Sequence, residues 1–285
     1  MAGLISNPER NLFQLMLSRR IVAIALGFLG TIVLLIVFGP LVASLDHTSM
    51  SVRQRLTAPG ADYWLGADAF GRDVLSRLIH AGRVSLLIGA GVATLSAIAG
   101  IVIGLLAGFF RRLDGPLSRV IDAMMAFPDI LLAIALVAIL GGSIINVVIA
   151  LTIVYTPRIA RIVRASTLVV RELPYVEAAR ALGSSTVYVL SRHVLLNISS
   201  PIIVQATFIF AYAMLAEAGL SFLGVGVDPS IPTWGTMINE GRQYIDRAPF
   251  LILFPGLAIS FSVLSLQLVG DGLRDALDPK IARQM

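Results

Sequence analysis

Long apolar runs separated by short polar breaks dominate this chain. Six can be drawn, at about 21–45, 84–110, 117–140, 144–165, 195–223 and 249–271. Each reaches the roughly 20 helical residues needed to cross a bilayer core. None alternates apolar and polar residues as a transmembrane barrel strand does. The pattern predicts an all-α polytopic membrane protein with six transmembrane helices. Its expected divisions are a segment 1–20, a first transmembrane helix 21–45, a loop 46–83, a five-helix core 84–271 and a tail 272–285.

The breaks carry their own signals. Arg111-Arg112-Leu113-Asp114-Gly115-Pro116 is a basic turn with helix breakers, and Gly141-Gly142-Ser143 is an uncharged hairpin. Arg19 and Arg20 precede the first run, and Val42-Ala43-Ser44 resembles a signal-peptidase site. The run from Ile21 to Leu45 exceeds a signal core of about 7–15 residues, so it reads as a retained span. On the second run Ser96, Gly100, Gly104 and Gly108 recur every fourth residue, a small-residue stripe that lets another helix approach closely. Packing within the bundle is the simpler reading of this stripe, and a seam with a second membrane subunit the sharper one.

Composition agrees with a membrane chain: 285 residues, 57% hydrophobic and 14% charged, with a mean hydropathy of +0.88. Soluble domains average about a quarter charged residues. The net charge of +5 follows from arginines flanking the spans, so nucleic acid is not an expected partner. Cysteine is absent, which removes disulfides, thiolate metal sites and cysteine nucleophiles. Lys280 is the only lysine, so no phosphate-binding loop of the Walker A type is present. The histidines, His47, His80 and His193, fall in separate segments and predict no metal site. With both termini inside, basic residues favour the inner side about two to one.

The segment 171–193 is polar and helix-favouring between two apolar runs. From Arg158 to Arg192 the chain holds six arginines (158, 161, 164, 171, 180 and 192) and only two acids, Glu172 and Glu177. Pro174 suits a helix start, Gly183 a helix stop, and Ser184, Ser185 and Thr186 a restart. Two short helices meeting at a glycine are expected, with Val176, Ala179, Ala181, Leu182, Val187 and Leu190 available as apolar anchors for a cytosolic partner.

Glu177-Ala178-Ala179, three residues, then Gly183 resembles the EAA loop of ATP-binding-cassette (ABC) importer permeases, although Leu196 stands where that pattern often has proline. Three more stretches resemble the dipeptide/oligopeptide/nickel branch of those permeases: Trp64 to Arg77, with Ala67 in place of a usual threonine; Glu217 to Gly226 followed by Pro232-Thr233-Trp234-Gly235; and Gly270 to Pro279. Together these span roughly residues 60–280.

The resemblance implies a type I importer permease with a cytoplasmic coupling helix, in which Glu177, Ala178, Ala179, Arg180 and Gly183 couple to an ATPase. It further implies a homologous second permease subunit, two ATP-binding subunits and an extracytoplasmic solute-binding protein as partners. The location would be a bacterial inner (plasma) membrane. The chain would be non-catalytic and bind no cofactor, ATP and Mg being held by the ATPase subunits. Di- and oligopeptides are the implied substrates, with nickel chelates, glutathione or opines as alternatives.

Two acids lie within apolar surroundings. Glu217 is assigned either to the translocation pathway or subunit seam, or to a structural hydrogen bond; Asp129 to an interfacial cap or to substrate contact. Asp68, Arg72, Asp73 and Arg77 form an alternating set, read as a solvated salt-bridged face or as contact with the solute-binding protein, with Gly71 to Arg83 as an amphipathic surface helix. An ion-driven secondary transporter is the rival of a different class. It predicts inverted halves and several facing carboxylates, and has no use for a docking segment at 177–183.

Overall fold

The computed structural model describes residues 16–17, 19–42 and 49–277, so most of the segment 1–20, positions 43–48 with His47, and the tail from Asp278 with Lys280 lie outside the described residues. Five described helices are long and apolar enough to cross a membrane, and counting one bent pair as a single span gives six. The chain is an integral membrane protein built from α-helices.

The helices are α1 (Arg20–Val42), α2 (Val74–Phe109), α3 (Arg111–Ala126), α4 (Asp129–Leu140), α5 (Ile144–Val170), α6 (Pro174–Ala181), α7 (Thr186–Tyr188) running into a wider π-helical stretch (Val189–Leu195), α8 (Ser199–Phe222), α9 (Trp234–Gly241) and α10 (Phe250–Leu277). Successive spans alternate in direction. In α1, Gly39 packs on Ile79 of α2, while Val22 packs on Gly272 of α10. Gly89 of α2 meets Phe210 and Met214 of α8, and Gly270 of α10 meets Thr207. The start of α1, the α6–α7 segment and the end of α10 therefore share one end of the bundle. There Arg19 forms an ion pair with Asp275.

α2 and α5 run parallel, and their seam is made by the small-residue stripe. A Cβ at Gly100, Gly104 or Gly108 would lie 2.6, 2.5 or 2.6 Å from the Cβ of Ile159, Val163 or Thr167. Both rows advance by four residues, so the glycines form a groove for one ridge of α5. Ser96 continues the seam, its Oγ donating to the Thr152 carbonyl at 3.4 Å. The stripe is thus packed within the chain.

Two elements differ from the apolar pattern. α2 is one continuous helix of 36 residues from Val74, capped by the Asp73 carboxylate accepting from the Ser76 N–H. No proline interrupts it, so the expected surface helix at 71–83 is the first part of this span. The run 117–140 is not one straight span either: α3 and α4 bend by 94°. Pro128 has no N–H for a helical ladder and forces its neighbour Phe127 out of the helical region, to φ −82°, ψ 139°. α4, with 12 residues, is only about 18 Å long and cannot cross a core of about 30 Å alone.

Candidate coupling surface and intramembrane charge ladder

At the end of the bundle where the start of α1 and the end of α10 meet, α5 closes through Arg171 and leads into α6. Arg171 anchors this corner by donating to the Gly108 carbonyl at 2.7 Å and pairing with Glu172 at 2.9 Å. Leu173 precedes the helix and Pro174 occupies its first turn. The helix ends where Gly183 adopts φ +83°. The Gly183 N–H donates to the Arg180 carbonyl at 3.0 Å and the Ser184 N–H to the Ala179 carbonyl at 3.1 Å. This pair of bonds is a Schellman motif, for which glycine at the left-handed position is the favoured residue. Ser185 then caps α7, its Oγ accepting from the Tyr188 N–H at 3.3 Å.

The turn is held from beneath and bare above. Val176, Val189 and Val194 are fully buried, joining α6 and the π-helical stretch to the core. Leu182 is 86% exposed and Val187 76%, with Tyr175 and Tyr188 also exposed. Glu177, Ala178 and Arg180 are exposed and Ala179 half-buried. The Arg180 guanidinium lies 5.7 Å over the Phe109 ring. The five residues of the Glu-Ala-Ala…Gly pattern thus lie on one small, rigidly based projection with an apolar tip.

Three of the arginines in the 158–192 stretch are held in ion pairs. Arg158, Arg161 and Arg164 recur every third residue of α5, and each meets an acid of the bent α3–α4 pair. Arg158 pairs with Asp129, Arg161 with Asp122 at 2.8 Å and Arg164 with Asp114 at 2.5 Å. The rungs follow α3 upward through the bend, and Arg158 and Asp129 make the innermost one. Its guanidinium lies 5.5 Å from the Tyr155 ring and 5.4 Å from the Tyr212 ring. Asp129, Ile130, Tyr155, Tyr212, Leu215 and Ala216 line an open concavity of about 230 Å³. The sequence marks Asp129 as a candidate but does not mark Arg158 as its partner.

Glu217, the other acid in an apolar run, is fully buried. It accepts from the Ser221 hydroxyl at 2.8 Å and the Ser85 hydroxyl at 3.3 Å. Ser85 in turn accepts from the Trp234 N–H at 3.2 Å. The carboxylate therefore joins α2, α8 and the start of α9, and it opens on no surface of the chain. Gly226 and Gly235 permit the same closure: a Cβ would come within 2.3 Å of Ser221 Oγ at the first and 2.7 Å of Ala218 Cα at the second.

At the opposite end of the bundle the alternating charge set is buried. Arg77, 3% exposed, donates from Nη1 to Asp68 and to Glu240, each at 2.7 Å. Arg72 donates to Asp68 at 2.6 Å and to Glu240 at 3.0 Å. Asp68 also accepts the Phe70 and Arg72 backbone N–H groups at 2.8 and 2.9 Å. Burial pushes the Asp73 carboxyl above the ordinary range, against hydrogen bonds from the Ser76 and Leu75 N–H groups. A solvated face is excluded. Glu240, the acid that completes the set, lies 163 residues from Arg77, so no local pattern announced it.

The model of the family described as a binding-protein-dependent transport system inner membrane component matches residues 100–283. The chain is 47% identical to the di/tripeptide transport system permease protein of Pseudomonas aeruginosa, over 89% of this chain and 86% of that protein. It is 41% identical to the dipeptide transport system permease protein of Alkalihalophilus pseudofirmus, over 96% and 91%. Identity to the glutathione transport system permease protein of Pectobacterium atrosepticum is 40%, over 97% and 93%. Among solved structures, a chain from the MetNI methionine ABC transporter in inward-facing conformations shares the fold, with a TM-score of 0.59, 72% of this chain and 98% of that chain covered, at 19% identity.

Proposed function

Because the chain belongs to the family of binding-protein-dependent transport system inner membrane components, we propose that it forms half of the translocation pathway of an ABC importer for di- and oligopeptides. A homologous permease subunit supplies the other half, and two ATP-binding subunits hold ATP and Mg and hydrolyse the nucleotide. An extracytoplasmic solute-binding protein delivers the peptide. In this arrangement the chain lies in a bacterial inner membrane with both termini and the α6–α7 segment in the cytoplasm. It binds no nucleotide and carries out no covalent chemistry.

The observation that carries the coupling role is the Leu182–Gly183 turn. A leucine that is 86% exposed on a helix end fixed by buried valines is an anchor without a pocket. We assign Glu177, Ala178, Ala179, Arg180 and Gly183 to the surface that docks on the ATPase. Closure of the ATPases on ATP moves this projection, and Val176 and Val189 transmit the displacement to α5 and α8. The bundle then rocks between inward- and outward-open states. Asp129 borders the passage, and Glu217 acts as a joint holding the outer parts of α2, α8 and α9 together. Asp68, Arg72, Asp73 and Arg77 shape the outer surface from beneath. Phe70, 52% exposed and stacked under Arg72 at 4.6 Å, presents that surface to the solute-binding protein.

Affinity purification of the tagged chain in mild detergent tests the assembly. A second permease and Walker-motif ATPases should accompany it, and Leu182→Glu should cut ATPase recovery about ten-fold or more while leaving the second permease bound. The reading would be sunk by a chain that purifies alone and transports without ATP. The glutathione permease relative favours a second substrate reading. Competition between unlabelled dipeptides and glutathione for uptake separates the two.

A further inference from the structure

The innermost rung of the ladder has a chemistry the coupling role does not use. α5 rises about 1.5 Å per residue, so Arg158 lies about 21 Å from the Ile144 end and about 18 Å from the Val170 end. Tyr212 is likewise about 20 Å from the start of α8 and about 15 Å from its end. The Arg158–Asp129 pair therefore sits at the middle depth of the bundle. It is not sealed there: the two side chains are 32% and 36% exposed. Ionised groups at that depth are costly against hydrocarbon, so their open side borders water or another protein surface.

We propose that Arg158 and Asp129, flanked by Tyr155 and Tyr212, form a binding station for the charged termini of a passing peptide. The inference rests on the peptide reading above and adds where the termini are held. A free peptide carries a carboxylate and an ammonium, and each must be matched when water thins along the passage. The Arg158 guanidinium presents a planar fork to a carboxylate. The Asp129 carboxylate and the faces of the two tyrosine rings receive an ammonium. Without substrate the two side chains neutralise each other, so neither charge stands unpaired in the membrane. The concavity of about 230 Å³ gives room for a terminal residue, and Leu215 and Ile130 on its wall accept varied side chains. The station is generic for termini and indifferent to side chains, as a route for mixed peptides requires.

The test uses the assembled importer in liposomes with its binding protein, ATP and a labelled dipeptide. Photoreactive benzoylphenylalanine replaces Leu215, which lines the concavity without contributing a charge. ATP-dependent crosslinking to the dipeptide is expected. Combining Asp129→Asn with Arg158→Gln removes both charges and strands neither; it should reduce crosslinking and accumulation of the free dipeptide about ten-fold, the worth of one charge-assisted hydrogen bond. An N-acetylated, C-amidated dipeptide should lose much less, each peptide being compared with its own uptake by the unmodified complex, so the binding protein's preferences cancel. Equal losses for free and blocked peptides, or failure of the double variant to assemble, would make the pair a strut and overturn the station. So would liposomes that accumulate dipeptide without any crosslink at position 215. If the unmodified complex accumulates no dipeptide, the peptide reading falls, and the station falls with it.

Discussion

Gly183 shows how one residue sets the shape of the α6–α7 projection. A Cβ there would meet no heavy atom within 4 Å, so the cost of adding one is conformational. At φ +83° that cost is about 1–2 kcal/mol for a residue with a Cβ. Gly183→Leu should therefore leave folding and pairing with the second permease intact while unwinding the last turn of α6 and displacing Leu182. Transport per ATP hydrolysed, measured in liposomes, is expected to fall; an unchanged ratio would place coupling elsewhere. Arg77 poses the opposite case, since its role is entirely in what surrounds it. Its guanidinium neutralises Asp68 and Glu240 together. Arg77→Met would leave Asp68 and Glu240 sharing Arg72 alone, one acid in excess in a largely buried site, a change of about 3–5 kcal/mol for breaking a buried pair. Glu240 keeps 28% of its side chain exposed, which puts the expected loss toward the lower end. Thermal unfolding of the purified chain in detergent would register it, and an unmoved midpoint would show that water already screens the set.

At the scale of helices, the α2–α5 seam is the most demanding contact in the bundle. Leucine at position 104 has to displace Val163, whose Cβ would sit 2.5 Å from the new one, and the Ala160 carbonyl oxygen at 2.7 Å. Backbone cannot give way as a flexible side-chain tip does, so Gly104→Leu is expected to cost at least the 1–3 kcal/mol typical of overpacking. The effect should appear as a lower yield of folded chain even when no partner subunit is expressed. An effect seen only in the complex would return the stripe to a subunit seam. This seam was readable from four-residue spacing, because a groove of glycines has few other uses in a membrane helix. The spans were readable too, since hydrocarbon thickness fixes their length. The bend at Pro128 was not read from the sequence, where 117–140 forms one apolar run. Its two arms are tied to α5 by charge pairs that link residues 29, 39 and 50 positions apart. An arginine's position in a sequence says that it must be satisfied, and the fold alone says by whom. For that reason the acid partners of Arg158, Arg161 and Arg164 could not be named from the sequence. Glu240 was hidden for the same reason.

For the molecule as a whole, the alternation of span directions carries a claim that can be tested without knowing substrate or partners. The ion pair between Arg19 and Asp275 draws the start of α1 and the end of α10 together. α6 follows α5, which runs parallel to α2, so the coupling projection lies at that same end. The charge cluster built on Arg77 and the stretch Val52–Gln54 lie at the other. The proposed orientation puts the first end in the cytoplasm. Because the chain has no cysteine, a single introduced thiol reports its own side without background. Leu182 and Val52 are suitable positions, being 86% and 80% exposed at opposite ends. In intact cells whose outer layers admit the reagent, a membrane-impermeant maleimide should label Val52→Cys and leave Leu182→Cys untouched. Permeabilising the inner membrane should expose Leu182→Cys, unless the ATPase covers it. Stripping the ATPase from inverted vesicles would then restore labelling, which ties orientation and docking to one reagent. Labelling of Leu182→Cys from outside would reverse the orientation, and an ATPase could not then reach the turn at Gly183.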